Sequence, residues 1–287
     1  MLYPETELVL DQNGAVYHLG LLPKQLANKV ILVGDQDRVG LISRFFDVIE
    51  HKVQHREFVS HTGSYKGKRI TVLSTGIGTD NIDICLQELD ALVNIDLNQR
   101  SNKTQFNSLD IVRIGTCGIL QETIPVHSWV LSTHALGLDN VAHFYPISSS
   151  PEEIALLDAI NKQIVFPQNV IPYLSAADES LVNRLKSEKV HAGITVTSSG
   201  FYGPQGRSLR LESKMKDIHL QLGAFASEGQ QIMNFEMESS AIFALGKALG
   251  HRCTTICLGV ANRPLKEFSK GINEAMDELI QYVLERI

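Results

Sequence analysis

Two glutamates, Glu236 and Glu238, flank Met237 in NFEMESSAIFALGKALG, residues 234–250. Their surroundings are apolar. Ile242, Phe243, Leu245, Ala248 and Leu249 recur at helical spacing, which predicts a helix over 237–249 with Gly250 as its stop. A helix N-terminus favours nearby carboxylates by about 0.3–1 kcal/mol each, and Asn234 is a candidate N-cap. That is the plain structural account of the pair. Whether the two carboxylates do more depends on the other residues that could do chemistry.

Arg113 interrupts a strand otherwise made of Ile111, Val112 and Ile114, just before Gly115 and Thr116. Burying a guanidinium there is costly without an anion. Arg38 follows Gly34 in VGDQDRV, residues 33–39. Glycine loops let backbone N–H groups approach an oxyanion, and arginine grips phosphate bidentately. Gly34, Arg38, Arg113 and Thr116 together would make a phosphate site. In the alternative reading Arg38 is a solvated first-turn residue and Arg113 pairs with an internal carboxylate. The G-x-x-x-x-G-K-[ST] loop is absent, and GIGTDN lacks the third glycine of a dinucleotide fingerprint. A free phosphate, or a phosphate on a small substrate, fits better than a nucleotide triphosphate or a dinucleotide. A further loop, SSGFYGPQGR, offers an aromatic face (Phe201), an amide (Gln205) and a guanidinium (Arg207). The trio could stack on a planar ring and bond the edge of one bearing keto oxygens and an N–H; alternatively it is a tight surface turn.

The elements that must position these groups follow from hydropathy. β-rich runs over 29–33 and from Arg69, Asp110, Ile194 and Thr254 each lead into glycine-bearing loops, and helical patterns intervene at 81–93 and 237–249. The alternation predicts an α/β fold with a largely parallel or mixed sheet, whose ligands bind beyond the carboxyl ends of the strands. Residues 94–108 read as a polar surface excursion, and 145–153 as a loop entering a helix near Pro151. No linker divides the chain, so residues 1–287 read as one domain.

Composition narrows the partners. Of 287 residues 44% are hydrophobic and 20% charged, and the net charge is −6, so nothing advertises nucleic acid or an anionic membrane. The N-terminus is acidic with no long apolar run, which argues against a signal peptide, and no stretch is long enough to span a bilayer. Cys85, Cys117, Cys253 and Cys257 lie in apolar surroundings without a C-x-x-C pair, reading as reduced thiols of a cytoplasmic protein. The ten histidines are scattered, and no metal-binding cluster is expected.

Nine stretches, in order, carry a resemblance: VYHLGL (16–21), VGDQDRV (33–39), HREFVSHTGSYKGK (55–68), STGIGTDN (74–81), EL (88–89), IVRIGTCG (111–118), GFYGPQGR (200–207), NFEMES (234–239) and GVANR (259–263). Together they resemble the nucleoside phosphorylase-I family, nearly end to end, and within it the branch that acts on uridine. The resemblance implies one three-layer α/β/α domain around a mixed, distorted central sheet. It implies that Gly34, Arg38, Arg113 and Thr116 hold phosphate. Met237 would lie against the ribose, with Glu238 accepting from its hydroxyls and Glu236 nearby. Phe201, Gln205 and Arg207 would hold the base, with Arg263 supporting their loop. Arg56 would reach a neighbouring subunit's phosphate and His18 its ribose 5′-hydroxyl. Active sites at dimer contacts, in a dimer or a hexamer, are therefore implied.

The implied reaction is reversible phosphorolysis of uridine to uracil and ribose 1-phosphate, as in pyrimidine salvage. Inorganic phosphate is the co-substrate and no cofactor is needed. Arg38, Arg113, Glu238 and Arg207 would be the catalytic groups. Purine-specific relatives carry an aspartate near the NR position, where this chain has Ala261 and Asn262. A purine or broad-specificity phosphorylase, a nucleosidase and a non-catalytic nucleoside-binding protein are the alternatives. Some relatives hold a monovalent cation at a dimer interface; Glu57 and Ile77 match that site, but Asn81 replaces a serine. Where the family tends to have Gly-Asp near a strand start, this chain has VHSWV, with His127, Ser128 and Trp129.

Overall fold

The computed structural model describes residues 2–287. In chain order the first part comprises β1 (Lys29–Val33), α1 (Gln36–Ser43), β2 (Val48–His55), β3 (Phe58–Tyr65), β4 (Lys68–Ser74) and α2 (Thr79–Asn94). The middle holds β5 (Ile95–Asp96), β6 (Ser101–Asn102), β7 (Asp110–Ile119), β8 (Trp129–Gly137), α3 (Pro151–Gln163), β9 (Tyr173–Ala176) and α4 (Glu179–Leu185). The last part holds β10 (Val190–Thr197), α5 (Ile218–Ala224), β11 (Ala226–Ser227), β12 (Gln230–Glu236), α6 (Ser239–Ala248), β13 (Arg252–Asn262), β14 (Glu267–Phe268) and α7 (Asn273–Arg286).

The expected mixed sheet between two helical layers is what forms. β1 lies parallel between β4 and β7, with Ile31 opposite Val72 on one side and Val112 on the other. Its residues are buried on both faces, which explains the unbroken apolar run KVILV. Val30 and Leu32 pack with α2 and α6. Ile31 and Val33 pack with α1, α4 and α7. A third cluster joins α3 and α5 to β8, β9, β10 and β12.

One pairing distorts the sheet. β12 runs parallel to β10, but its end also pairs antiparallel with β7, Asn234 opposite Ile119 and Phe235 opposite Gly118. β7, β13, β8, β10 and β12 therefore close a ring. Register shifts at Gly193/Ile194 and Gly259/Ala261 supply the bending.

Several sequence expectations change here. β7 and β13 do not end at their glycines: β7 continues through Gly115 and Gly118 to Ile119, and β13 through Gly259 to Asn262, because the two pair in parallel along this whole length. Gly115 is a strand residue whose missing Cβ makes room for the Arg113 guanidinium and Cys257. The 94–108 excursion contains a short hairpin, β5–β6. The loop at 145–153 enters α3 through a capping box of Ser150 and Glu153. Asn234 does not cap α6. It is fully buried within β12, where its Oδ1 accepts from Thr195 Oγ1 at 2.9 Å. The VHSWV departure has a local consequence: His127 takes φ +71°, a left-handed conformation that glycine adopts freely. Its ring nitrogen Nε2 lies 2.5 Å from Ser269 Oγ, tying the β8 start to the segment after β14.

Helix α6 is buried for most of its length and packs against β13. A Cβ on Gly246 would overlap Cys253 Sγ, whereas one on Gly40 in α1 would meet nothing within 4 Å. Gly246→Ala should lower stability by about 1–3 kcal/mol through overpacking, and Gly40→Ala should raise it by about 0.5–1 kcal/mol. Urea midpoints with an unchanged slope would measure both.

Candidate active site

A cavity of about 750 Å³ opens where β1, β7 and β13 end and α6 begins. Ten of the residues singled out in the sequence line it: Gly34, Arg38, Arg113, Thr116, Phe201, Gln205, Arg207, Glu236, Met237 and Glu238. They come from segments as far apart as β1 and α6, and the sheet brings them together.

At its floor is a buried ion cluster. Arg113 Nη2 donates to Glu238 Oε2 in a very short bond, and Nη1 lies 3.6 Å from Glu236 Oε2. The internal-carboxylate reading of Arg113 is therefore correct as far as it goes, yet the same residue lines the cavity. Burial opposes the charge on Arg113, but Glu238 and then Glu236 outweigh it and hold the guanidinium above its ordinary value. Its Nε is buried without a partner. Arg38 sits beside it, Nη1 donating to Ile114 O at 3.4 Å. Burial, then repulsion from Arg113, lowers its pKa. Two adjacent guanidiniums at a cavity floor are the groups with which proteins grip oxyanions.

The carboxylates are positioned by the turn between β12 and α6. Glu238 Oε1 accepts from Gly78 N at 2.8 Å, which links the STGIG loop to the cluster. Glu236 does the capping once assigned to Asn234: its carboxylate accepts from Glu238 N at 3.0 Å and Ser239 N at 2.9 Å. Burial raises the Glu236 carboxyl to about 7, against the pull of Arg113.

The base-side trio also assembles. The Arg207 guanidinium stacks 3.8 Å over the Phe201 ring and donates to Phe201 O at 2.7 Å and, in a very short bond, to Gln205 Oε1. Burial and then Arg263 lower the Arg207 pKa to about 10. Beside Gly118 in β7, the side chains of Arg207 and Arg263 lie at ordinary contact distance from where a Cβ would stand.

Three expected residues do not line the cavity. Arg263 stands behind it, with Nη1 buried and unpartnered. His18 pairs with Glu88 at 2.7 Å. Arg56 is exposed in the β2–β3 turn and donates to Tyr17 OH at 3.2 Å. Conversely, sequence reasoning missed Phe268, an exposed aromatic of β14 that lines the cavity, and Cys117. An isolated phenylalanine in the polar run LKEFSKG was the available signal for the first. Asn262 has no free group for a ligand: Nδ2 donates to Gln121 O and Ile124 O, and Oδ1 accepts from Leu265 N.

Glu57, Ile77 and Asn81, the residues implied for a cation, all line the cavity. The Asn81 amide nitrogen stands 2.5 Å from where a Gly76 Cβ would lie, and Glu57 Cγ is 3.7 Å from the same point. Among the described residues no cluster of three or more His, Cys, Asp or Glu could hold a metal.

Comparison with known proteins agrees with this geometry. The family model described as the phosphorylase superfamily matches residues 28–287. A uridine phosphorylase of Thermococcus kodakarensis is 30% identical over 93% of this chain and 83% of its own length. One of Escherichia coli is 28% identical over 94% of this chain and 96% of its own. A Trypanosoma brucei nucleoside phosphorylase, whose structure is described as showing uridine phosphorylase activity, superimposes with a TM-score of 0.88 at 30% identity, covering 98% of this chain and 99% of its own.

Removing Arg113 strips two buried carboxylates of their counter-charge. Arg113→Met should cost about 3–5 kcal/mol at pH 8. Because the folded Glu236 pKa lies above its unfolded value, its contribution to stability is fully present below the unfolded pKa of about 4.3. It is lost as pH rises through about 7. The variant should therefore recover part of its loss at pH 6, measured as urea midpoints at the two pH values.

Proposed function

The chain belongs to the phosphorylase superfamily, and we propose that within it the chain is a uridine phosphorylase. It converts uridine and inorganic phosphate reversibly to uracil and ribose 1-phosphate. One observation carries this reading beyond the likeness to relatives: Phe201, Gln205 and Arg207 share a single cavity with the Arg38–Arg113–Glu238 cluster. An anion, a sugar and a planar keto-bearing ring can be held side by side there.

In this reading Arg38, Arg113 and Thr116, with the Gly34 backbone, hold phosphate. Met237 lies against the ribose and Glu238 orients its hydroxyls. A phosphate oxygen forms the bond to C1′ as the C1′–N1 bond breaks, and the bonding pair leaves with uracil. Positive charge develops on the sugar, near Glu238, and negative charge on the base, near Arg207 and Gln205. Aimed charges of this kind need no acid–base relay. The base choice is supported by Ala261 in the lining and by the commitment of Asn262 to backbone groups, which leave no acid at these two positions, where purine-specific relatives carry an aspartate.

Arg56 and His18 serve a neighbouring subunit in this reading, so the working enzyme is at least a dimer. Exposed Ile77, at the cavity rim beside Glu57, supports an open side that a partner closes. A cytoplasmic location in pyrimidine salvage fits four buried free cysteines. Among the described residues, no helix is long and apolar enough to cross a membrane.

Incubation with uridine should release uracil only when phosphate is present; release without phosphate would make the chain a nucleosidase. Gln205→Ala and Arg207→Ala should each lower kcat/KM for uridine by about 10²–10³-fold, with the KM for phosphate little changed. A kcat/KM for inosine equal to that for uridine would replace the pyrimidine reading with a broad-specificity one.

A further inference from the structure

Glu236 is surrounded by donors. Oε1 accepts from Thr197 Oγ1 in a short bond and from Ser239 N at 3.1 Å. Oε2 accepts from Glu238 N and Ser239 N, with Arg113 Nη1 beyond at 3.6 Å. Four of these five contacts come from N–H groups that can only donate. Thr197 alone carries a hydroxyl that could turn either way. Oγ1 also accepts from Ser240 N at 2.9 Å. A hydroxyl has one proton, and toward an ionised Glu236, which can only accept, that proton is directed at Oε1. Thr197 is fully buried at the end of β10, directly opposite Glu236 in the parallel β10–β12 ladder. Ser240 is held in turn: its Oγ donates to buried Asp139 at 2.6 Å, and Tyr173 OH donates to the same carboxylate at 2.9 Å.

We propose that Thr197 is a positioning residue that holds Glu236 as a carboxylate aimed at Arg113, and so sets the pH at which Arg113 is released to bind an anion. With Glu236 ionised, Arg113 is shared between two carboxylates. With Glu236 protonated, Arg113 has charge to spare for a ligand. The other groups facing Glu236 are Cys117 from β7, Glu238 before α6 and Tyr173 from β9, with Cys257 from β13 acting through Arg113 and Cys117, and Arg38 through Arg113 and Glu238. None of them offers a second hydroxyl proton to Oε1. The inference rests on the cavity being an anion site.

Two readouts separate the inference from that reading. The first needs no ligand: the side-chain carboxyl carbon of Glu236 is followed by NMR in 13C-glutamate-labelled protein, assigned by its disappearance in Glu236→Gln. The wild-type midpoint should lie near 7. Thr197→Val should move it up by about one pH unit or more, since a hydrogen bond to the charged form is lost, and Thr197→Ser should restore it. The second readout is sulfate affinity, since sulfate keeps its charge over this range. Affinity should fall as pH rises through the Glu236 midpoint, and that fall should move with the midpoint in Thr197→Val. Equal midpoints in wild type and Thr197→Val, or a Thr197→Ser midpoint equal to that of Thr197→Val, would overturn the role of Thr197. If Thr197→Val does not fold, Thr197→Cys, a weaker donor of similar volume, should shift the midpoint in the same direction, and an unshifted value would be equally fatal. Absence of sulfate binding in the wild type would overturn the anion site while leaving the NMR test of Thr197 standing.

Discussion

The buried contact between Arg113 and the two glutamates is the constraint around which the site is built. A guanidinium inside an apolar strand demands a counter-charge, and two carboxylates packed against a helix demand a cation. Each makes the other tolerable. The sequence distance between them is large, Arg113 in β7 and Glu238 just before α6, so the pairing also ties the two halves of the chain. Glu238 extends the tie to a third segment by accepting from Gly78 N. The cavity thus inherits a floor whose charges hold one another in place and carry little freedom of their own.

Around that floor, the geometry depends on small residues in strands more than on loops. Gly115 and Gly118 both belong to β7: the first leaves space for the Arg113 guanidinium, which a Cβ would overlap, and the second lies beside Arg207 and Arg263. One strand therefore borders both Arg113 and Arg207 in the cavity. α6 contributes its N-terminal turn, where Glu236 and Thr197 receive backbone N–H groups that would otherwise be orphaned. The carboxylate that caps α6 also lines the cavity, so neither account of Glu236 excludes the other.

The fold was largely legible because apolar runs such as KVILV and the periodic face of α6 are burial signals that act locally. The sequence also marked the residues that the cavity gathers, from Gly34 to Glu238. What could not be read were facts created by pairing. β7 and β13 outrun their glycines because each is the other's hydrogen-bond partner, and no window of sequence contains both. Asn234 looked like a cap because its polarity sits just ahead of a helix, but the antiparallel contact with Ile119 draws it into a strand. Arg113 presented two readings, an anion grip and an internal ion pair, and the structure has it paired while still facing the cavity. Phe268 escaped notice because a lone aromatic in a polar segment has no periodicity to betray it. His18 and Arg56 lie outside the cavity of their own chain, where a single protomer's sequence has nothing further to say about them.

The ring of five strands has a consequence for how the protein behaves in a crowded solution. A closed ring presents no unpaired backbone to a passing chain, so the strands that carry the site are protected from strand addition. The sheet's open edges are its two ends, β11 and β2, and the short strands β9 and β14 that flank β8 and β13. β11 is two residues long, too short to template a partner. β2 is eight residues long and mostly solvent-facing, and it bears Glu50, Lys52 and two histidines, His51 and His55. Charge placed along an outer strand repels an incoming neighbour. The segment most exposed to unwanted association is thus the one the sequence has armed against it, at the opposite end of the sheet from β11.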